Sequence, residues 1–203
     1  LEHTEDGGRM EEADAAAVSA RARDRGRDQI GTLGSGNHFL EVDEIAEVYD
    51  EQAAGALGLV PGRVTVWIHC GSRGLGHQVC SDHVRLMQQA TAKYHITLPD
   101  RELVCAPLDT SEGRQYLAGM ACAANYAWAN RQVIMHWARE VFQNFFQKDA
   151  DELGMDLVYD VAHNVAKLEE HIIDNKKQEV YVHRKGATRA FPPGHPEIPA
   201  HYK

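Results

Sequence analysis

Residues 64–76 read VTVWIHCGSRGLG, a β-branched and mostly apolar run that reaches a histidine and then becomes rich in glycine. The run predicts a buried strand over residues 64–70. Residues 77–94 follow the glycine-rich turn, and their apolar side chains recur at helical spacing, which predicts a helix. A strand, a turn and a helix in this order favour a mixed α/β domain.

The remaining pattern extends the same alternation of helices and strands. Further strands are predicted at 37–42, 156–161 and 179–183, and helices at 44–59, 112–148 and 165–173. Residues 11–28 are expected to form an exposed helix or a partly ordered arm, and the Pro-rich residues 191–199 an extended segment. We expect the aromatic side chains of the 112–148 helix to be in the core; they are Trp128, Trp137, Phe142, Phe145 and Phe146. No internal repeat and no flexible linker divides the chain.

Composition narrows the class of function. The chain has 203 residues and a net charge of −9, which argues against RNA binding through overall charge but allows a local basic site. Four cysteines without a C-x-x-C pair indicate reduced thiols rather than a zinc ribbon or a disulfide scaffold. No apolar run is long enough to predict a membrane span, so the cytoplasm is the expected compartment.

Histidine is enriched, with twelve in the chain. Three of them, His38, His69 and His163, lie beside predicted strands and next to small or polar residues. Side chains at one edge of a sheet can meet, and imidazole is a common ligand for transition metals. The pattern therefore predicts a shared metal or phosphate site, although a single histidine in such a place is more often a packing residue. The histidines without this context are interpreted as surface or packing residues: His3, His95, His136, His171, His195 and His201.

Two short segments could bind phosphate. Residues 71–76 (GSRGLG) combine glycine amides with Arg73, which suits an anion, but they could equally be a tight connection between a strand and a helix. The turn matches neither a Walker A loop nor a dinucleotide fingerprint. Residues 183–189 (HRKGATR) form the densest basic run, which predicts either contacts to RNA phosphates or a solvated loop.

Read as strings, several segments resemble the motifs of the RtcB family of RNA ligases. They are LGSGNHFLE at 33–41, HCGSRGLGHQ at 69–78, YDVAHN at 159–164 and VHRKGATRAFP at 182–192. The stretch from Leu117 to Arg131 is similar as well, so the resemblance runs through nearly the whole chain. It implies an RtcB-like α/β fold and a Mn²⁺- and GTP-dependent ligase. Such a ligase joins RNA 3′-phosphate or 2′,3′-cyclic phosphate ends to 5′-hydroxyl ends.

The resemblance also implies roles for individual residues. His38, His69 and His163 fall on three histidines that help to bind two Mn²⁺ ions in the family. Nucleotide and phosphate contacts fall on other positions: Asn37 for the guanylate phosphate, Glu41 for the guanine base, and Arg73, Asn164 and Lys185 for phosphates of GMP or of the RNA end. Arg189 is expected to be a further phosphate contact. Cys70 replaces the serine that is common in the family and is interpreted as a small neighbour of the metal, not as a ligand.

The implied mechanism begins when a histidine attacks GTP and becomes guanylylated. The guanylate then moves to the RNA 3′-phosphate, and the 5′-hydroxyl attacks as GMP leaves; a cyclic phosphate is first opened by water. The implied partners are GTP, tRNA exon halves or broken RNA ends, and an accessory activating protein, with no membrane. The residues alone leave two alternatives, namely a metal-dependent phosphoesterase or nucleotide-binding protein and a non-catalytic RNA-binding subunit.

Two segments of the family are not recognised in this sequence: an upstream segment with an Asp and a Cys metal ligand, and a downstream segment with the guanylylated histidine. Residues 1–203 are therefore expected to be the central part of a single catalytic domain. We expect this chain by itself to be unable to complete guanylylation. A covalent GMP adduct formed by the 203-residue chain with GTP and Mn²⁺ would contradict that expectation.

Overall fold

The computed structural model describes residues 2–202 of the chain. It is 41% helical and 17% strand, which confirms the mixed α/β class. The helices are α1 (Ala20–Gly26), α2 (Glu51–Ala56), α3 (Arg73–Lys93) and α4 (Ser111–Phe146), and the strands are β1 (Phe39–Glu44), β2 (Val64–His69), β3 (Asn164–Ile173) and β4 (Lys176–Lys185). Short 3-10 segments lie at Glu5–Gly8, Ala15–Ala17, Arg101–Leu103 and Ala200–Tyr202. None of the helices in this part of the chain has the length and apolarity to cross a membrane.

The chain folds into two compact units. The hairpin unit consists of Leu1–Gly7, Glu44–Arg63 and Leu157–Lys203. The helical unit consists of Gly8–Asp43 and Val64–Asp156. Strands β1 and β2 pair with each other in one two-stranded sheet, and β3 and β4 pair in another.

The core of the helical unit depends on close packing of α1 against α3. Val18, Ala22 and Val79 form a buried cluster, with Leu75 and Cys122 packed around it. Gly26 permits this approach, because a Cβ atom at that position would lie 2.8 Å from Cβ of Leu75. Small residues on the buried face of α1 therefore bring the start of α3, and the turn before it, to a defined place.

Helix α4 confirms the longest predicted helix and runs without a break. Thr110 caps its first turn by accepting a hydrogen bond from the Gly113 amide at 3.1 Å. The prediction that its aromatic residues lie in the core holds for Trp128, which is 1% exposed, but is wrong for Trp137, Phe145 and Phe146, which are 51%, 78% and 52% exposed. Only one stripe of the helix packs against the rest of the unit, and the apolar side chains outside that stripe remain exposed.

Strand β2 confirms the strand predicted from the opening sequence, but not its burial. Val64 and Trp67 are 54% and 59% exposed. Its sheet has two strands, and the indole N–H of Trp67 is bonded to the Thr65 hydroxyl at 3.1 Å. A continuous apolar run predicts burial on both faces only when layers cover both faces of the sheet.

The hairpin β3–β4 replaces the helix predicted over residues 165–173, so that prediction is wrong. The strands are antiparallel, in a register that runs from Asn164 opposite Lys185 to Ile173 opposite Lys176. The connecting residues Asp174 and Asn175 have φ values of 51° and 59°. A two-residue turn with positive φ at both positions is the type that matches the twist of a hairpin, and Asp and Asn tolerate it better than most residues.

Two other local predictions in the hairpin unit are also wrong. Residues 156–161 do not form a strand; they contribute a single parallel bridge between Asp160 and Thr4. Residues 191–199 form turns instead of an extended segment, since the His195 amide is bonded to the Pro192 carbonyl at 3.2 Å and the Ile198 amide to the His195 carbonyl at 3.1 Å.

Candidate functional site

Two of the predicted site histidines lie side by side in the helical unit. His38 directly precedes β1 and His69 is the last residue of β2, so pairing of the two strands brings the imidazoles together. Their ring centroids are 6.1 Å apart, and the planes are inclined at 71°. Phe39 packs edge-on against His69 at 5.2 Å between centroids, which fixes the orientation of that ring.

Arg73 is held beside this pair by an unusual backbone. Its φ of 52° lies in the left-handed region, which is costly for a residue with a side chain and is found most often where function requires it. The Arg73 Nε–H donates to the Thr32 hydroxyl at 3.2 Å. A Cβ atom added to Gly34 would overlap the His38 ring and would lie 2.5 Å from Nη1 of Arg73, so both side chains pack on the bare backbone of Gly34.

The electrostatic environment favours a neutral His38. Burial lowers the pKa of His38 below its ordinary value, and the charges of Arg73 and His69 lower it further. Nδ1 of His38 is buried and has no hydrogen-bond partner among the described residues. A metal ion binds histidine in its neutral form, through a ring nitrogen that carries no proton.

In the glycine-rich segment 71–76, Gly71 and Ser72 belong to the connection from β2, and residues 73–76 form the first turn of α3, which begins four residues before the predicted start at 77. One amide of the segment is already used, because the Gly74 N–H donates to Oε1 of Gln29 at 2.7 Å. The amide of Gly76 is bonded to the Ser72 carbonyl at 3.2 Å. The predicted phosphate cradle is therefore partly closed by internal hydrogen bonds, and the guanidinium of Arg73 is the group in this turn best suited to an anion.

Sequence reasoning missed the buried amide that lies behind this turn. Asn130 of α4 is 0% exposed. It accepts hydrogen bonds from the amides of Gly31 and Thr32 and donates to the Gly71 carbonyl and to Sγ of Cys70. An asparagine on the apolar stripe of a long helix, four residues before the buried Ile134, was the available signal.

Cys70 belongs to this buried network. Its thiol donates to the Thr32 carbonyl at 3.5 Å and accepts from Nδ2 of Asn130 at 3.3 Å. The neighbouring Arg131 donates to the Cys70 carbonyl at 3.0 Å. With the side chain 4% exposed and hydrogen-bonded on both sides, Cys70 links the loop at Thr32 to helix α4.

The predicted guanylate contacts, Asn37 and Glu41, are solvent-exposed. Asn37 precedes His38 in the loop that leads into β1. Glu41 lies on β1 two residues after Phe39, and alternation along a strand places these two side chains on the same face. Within residues 2–202 Glu41 forms no ion pair, so its carboxylate is available to a ligand.

The hairpin unit gathers the other predicted residues at the open end of β3–β4. Asn164 is opposite Lys185 in the register, and Oδ1 of Asn164 accepts the Gly186 amide at 2.9 Å. The His163 carbonyl accepts the Ala187 amide at 3.3 Å. Lys185 is exposed and has no ion-pair partner in the described part of the chain, so its ammonium group can meet a phosphate. His163 was expected at the end of a strand, but it lies immediately before β3.

Arg189 does not fit the role of a free phosphate contact. Its guanidinium is bonded to Glu5 at 2.8 Å, to Asp6 at 3.0 Å and to Glu197 at 2.5 Å. Glu5, only 2% exposed, also pairs with Lys167 at 2.9 Å. Since three carboxylates surround it, Arg189 serves to hold the N-terminal segment and the C-terminal turns on the hairpin unit.

The side chains of the described residues do not form a complete metal site by themselves. Among residues 2–202, no three His, Cys, Asp or Glu side chains are grouped so as to hold a metal ion. His38 and His69 do fit a metal as a pair, because the rings are adjacent and His38 is kept neutral with an unsatisfied nitrogen. The three-histidine manganese site remains a prediction.

Comparison with known proteins gives a consistent picture. The family model for "tRNA-splicing ligase RtcB" matches residues 1–203. A protein of that name from Thermococcus kodakarensis is 59% identical over the whole chain, which covers 42% of the relative. The relative from Pyrococcus abyssi is 58% identical, with 22% of its length covered, and that from Aeropyrum pernix is 55% identical over 201 residues, with 42% covered. The chain thus spans less than half the length of these curated relatives.

Proposed function

Because the chain belongs to the tRNA-splicing ligase RtcB family, we propose that the complete protein joins RNA 3′-phosphate or 2′,3′-cyclic phosphate ends to 5′-hydroxyl ends with GTP and Mn²⁺. The observation that carries the proposal is the adjacent pair His38 and His69, with the guanidinium of Arg73 beside it. Two imidazoles and a cation in one place suit a metal-assisted reaction at phosphorus.

His38, His69 and His163 are the residues proposed to hold manganese. A bound divalent ion would neutralise phosphate charge and polarise the phosphorus that is attacked. The chain's own contribution is to keep His38 deprotonated and to hold His69 in orientation through Phe39. Neither imidazole adds negative charge to the site, so the pair does not repel an anionic phosphate.

The proposed phosphate contacts are side chains with free hydrogen-bonding capacity. Arg73 can offer its guanidinium to a phosphate next to the imidazoles, and a planar fork of donors matches phosphate oxygens. Lys185, exposed at the end of β4, can act as a point charge on a second phosphate. Asn37 and Glu41 are proposed to contact the guanylate, and Asn164 either the guanylate or the RNA end.

The proposed partners are GTP, RNA with broken or spliced ends such as tRNA exon halves, and an accessory activating protein. The proposed compartment is the cytoplasm, because all four cysteines are free thiols, the form that a reducing environment maintains.

The decisive experiment measures end-joining in the complete protein. An RNA with a 3′-phosphate and one with a labelled 5′-hydroxyl end are incubated with GTP and Mn²⁺, and the joined product is quantified. We expect His69→Ala to reduce joining at least 100-fold, because a ligand to the metal is lost. His136→Ala is the control, since His136 is an exposed histidine on α4.

Three results would reject the proposal. Equal joining by wild type and His69→Ala would show that the pair is not part of the machinery. Hydrolysis of the 3′-phosphate without joining would indicate a phosphoesterase instead. RNA binding that is independent of metal, with no turnover, would indicate a non-catalytic RNA-binding subunit.

A further inference from the structure

Asn130 lies at the centre of the contacts between the two loops that lead to the histidine pair. Its side chain is completely buried in α4. Oδ1 accepts from the amides of Gly31 at 2.7 Å and Thr32 at 3.2 Å. A single oxygen thereby holds two consecutive amides of the loop that continues to His38.

The nitrogen of the same amide group holds the second loop. Nδ2 donates to the Gly71 carbonyl at 3.1 Å and to Sγ of Cys70 at 3.3 Å, and it also reaches the Thr32 carbonyl at 3.3 Å. Gly71 and Cys70 directly follow His69. One side chain therefore satisfies polar groups of both loops, and each of these groups would be costly to leave unpaired in a buried place.

Other contacts join the same two regions, among them the 2.7 Å hydrogen bond from the Gly74 amide to Oε1 of Gln29. The Cys70 thiol reaches the Thr32 carbonyl at 3.5 Å, and the Nε–H of Arg73 reaches the Thr32 hydroxyl at 3.2 Å. Neither involves the amides of both loops. Pairing of β1 with β2 brings the imidazoles together, and the amide of Asn130, which contacts neither ring, ties together the loops that flank the pair.

We propose that Asn130 is a positioning residue for the histidine pair. This proposal rests on the proposed function of His38 and His69 in metal binding. By holding Gly31–Thr32 and Cys70–Gly71 at a fixed distance, it sets the approach of the two rings. Residues behind a metal ligand commonly change metal affinity by about 10- to 100-fold when they are removed, because the ligands then sample geometries that do not bind.

The chain supplies a matched control on the same helix. Asn125 of α4 also ties down a distant backbone, since its Oδ1 accepts the Met10 amide at 2.7 Å and its Nδ2 donates to the Met10 carbonyl at 3.0 Å. Met10 lies outside both loops of the histidine pair. Asn130→Ala removes a buried tether and Asn125→Ala a half-buried one, but only the first should disturb the histidine pair.

The test titrates the complete protein with Mn²⁺ and monitors the electron paramagnetic resonance signal of the free ion. A thermal melt of each variant measures its stability. We expect the Kd for Mn²⁺ to rise at least tenfold in Asn130→Ala and to stay within twofold of wild type in Asn125→Ala, although both variants melt at a lower temperature. If Asn130→Ala does not fold, Asn130→Ser replaces it, because it keeps a hydroxyl in the buried place.

His69→Ala separates the two possible failures. If His69→Ala weakens Mn²⁺ binding while the folded Asn130 variant binds like wild type, the positioning role of Asn130 is wrong, but metal binding by the histidine pair is supported. If Asn125→Ala weakens binding as much as Asn130→Ala, the effect is general loss of stability and the positioning role is wrong as well. If His69→Ala binds Mn²⁺ like wild type, the proposed function of the pair fails, and the positioning role fails with it.

Discussion

Gly34 shows how much of the site depends on one missing side chain. Both the imidazole of His38 and the guanidinium of Arg73 lie where its Cβ atom would be. Arg73 itself has a left-handed backbone, which a β-carbon disfavours. Close approach of an imidazole ring, a guanidinium and a backbone segment therefore requires glycine at position 34 and a left-handed backbone at position 73.

Gly34→Ala should disrupt the pair. The added methyl group has to displace the His38 ring, so we expect the Kd for Mn²⁺ to rise about tenfold or more and the free energy of unfolding to fall by roughly 1–3 kcal/mol. Metal titration and chemical denaturation measure the two effects. Gly55→Ala in α2 is the control, since a Cβ there meets open space and should stabilise by about 0.5–1 kcal/mol. Unchanged metal affinity in Gly34→Ala would contradict the geometry.

Cys70 offers a second prediction at this scale. Cys70→Ser keeps a donor for the Thr32 carbonyl and an acceptor for Asn130, so its unfolding free energy should stay within about 1 kcal/mol of wild type. Cys70→Ala has nearly the volume of the serine variant but leaves both partners unpaired, and we expect a loss of about 1–3 kcal/mol. Denaturation midpoints compare the two. Equal stability of the two variants would mean that the thiol acts only by packing.

Single elements contribute residues both to the stability of the fold and to the candidate site. Helix α4 supplies Asn130 to the loops and Trp128 to the core, while its C-terminal half keeps Phe145 in solvent. The hairpin β3–β4 carries Asn164 and Lys185 at its open end and is closed at the other end by Asp174 and Asn175.

The two faces of α4 should respond differently to truncation. Trp128→Ala removes a side chain that is 1% exposed, and we expect a loss of about 3–5 kcal/mol because a large cavity is created. Phe145→Ala removes one that is 78% exposed and should change stability by less than about 0.5 kcal/mol. Unfolding in urea gives both numbers. A large loss in Phe145→Ala would show that this face is packed against something in solution.

The hairpin should lose stability in acid. Arg184 bonds both carboxylate oxygens of Glu169, at 2.5 and 2.9 Å, and this lowers the pKa of Glu169 from 4.5 to about 2. Because the folded pKa lies below the unfolded one, the contribution is fully present above pH 4.5 and disappears as the pH falls toward 2. Its size is on the order of 1–2 kcal/mol after allowance for solvent screening.

Glu169→Gln tests this directly. The variant should be less stable than wild type at pH 7, and the difference should shrink as the pH is lowered from 4.5 to 2. Hydrogen exchange of the β3–β4 amides, measured at several pH values, follows the hairpin itself. A difference between the two proteins that is constant over this range would show that ionisation of Glu169 does not matter.

On the scale of the whole molecule, the net charge repels RNA, whereas individual cations can attract its phosphates. The chain has a net charge of −9, so RNA is not drawn to it by its overall field. Many of its cations are also paired, as Arg189 is with three carboxylates. The proposed binding of RNA therefore depends on a small number of cations, such as Lys185, that form no ion pair among residues 2–202.

Lys185→Gln should reduce the salt dependence of RNA binding. One phosphate contact with a single strand contributes about 0.7 to the slope of log K against log salt, so the slope should fall by about that amount. Affinities of the complete protein for a 3′-phosphate RNA at several salt concentrations measure it. Lys148→Gln is the control, since Lys148 is an exposed lysine outside the predicted site. An equal change in both variants would assign the effect to net charge alone.

Local patterns determined much of this protein from the sequence alone. The strands predicted at 37–42 and 64–70 and the helices predicted at 77–94 and 112–148 are present, with shifted ends, as β1, β2, α3 and α4, because strand propensity and helical periodicity act over a few residues. The helix predicted over 165–173 was wrong because a two-residue turn at Asp174 and Asn175 outweighed the helical spacing before it.

The tertiary structure alone decided which polar groups are already engaged. Arg189 reads as a free cation, but Glu5 and Asp6 neutralise it from more than 180 residues away in the sequence. Asn130 reads as an ordinary helix residue, yet it fills the gap between two loops that precede it by about 60 and 100 residues. Hydrogen bonds and ion pairs form between groups that folding brings together, so no pattern of neighbouring residues contains them.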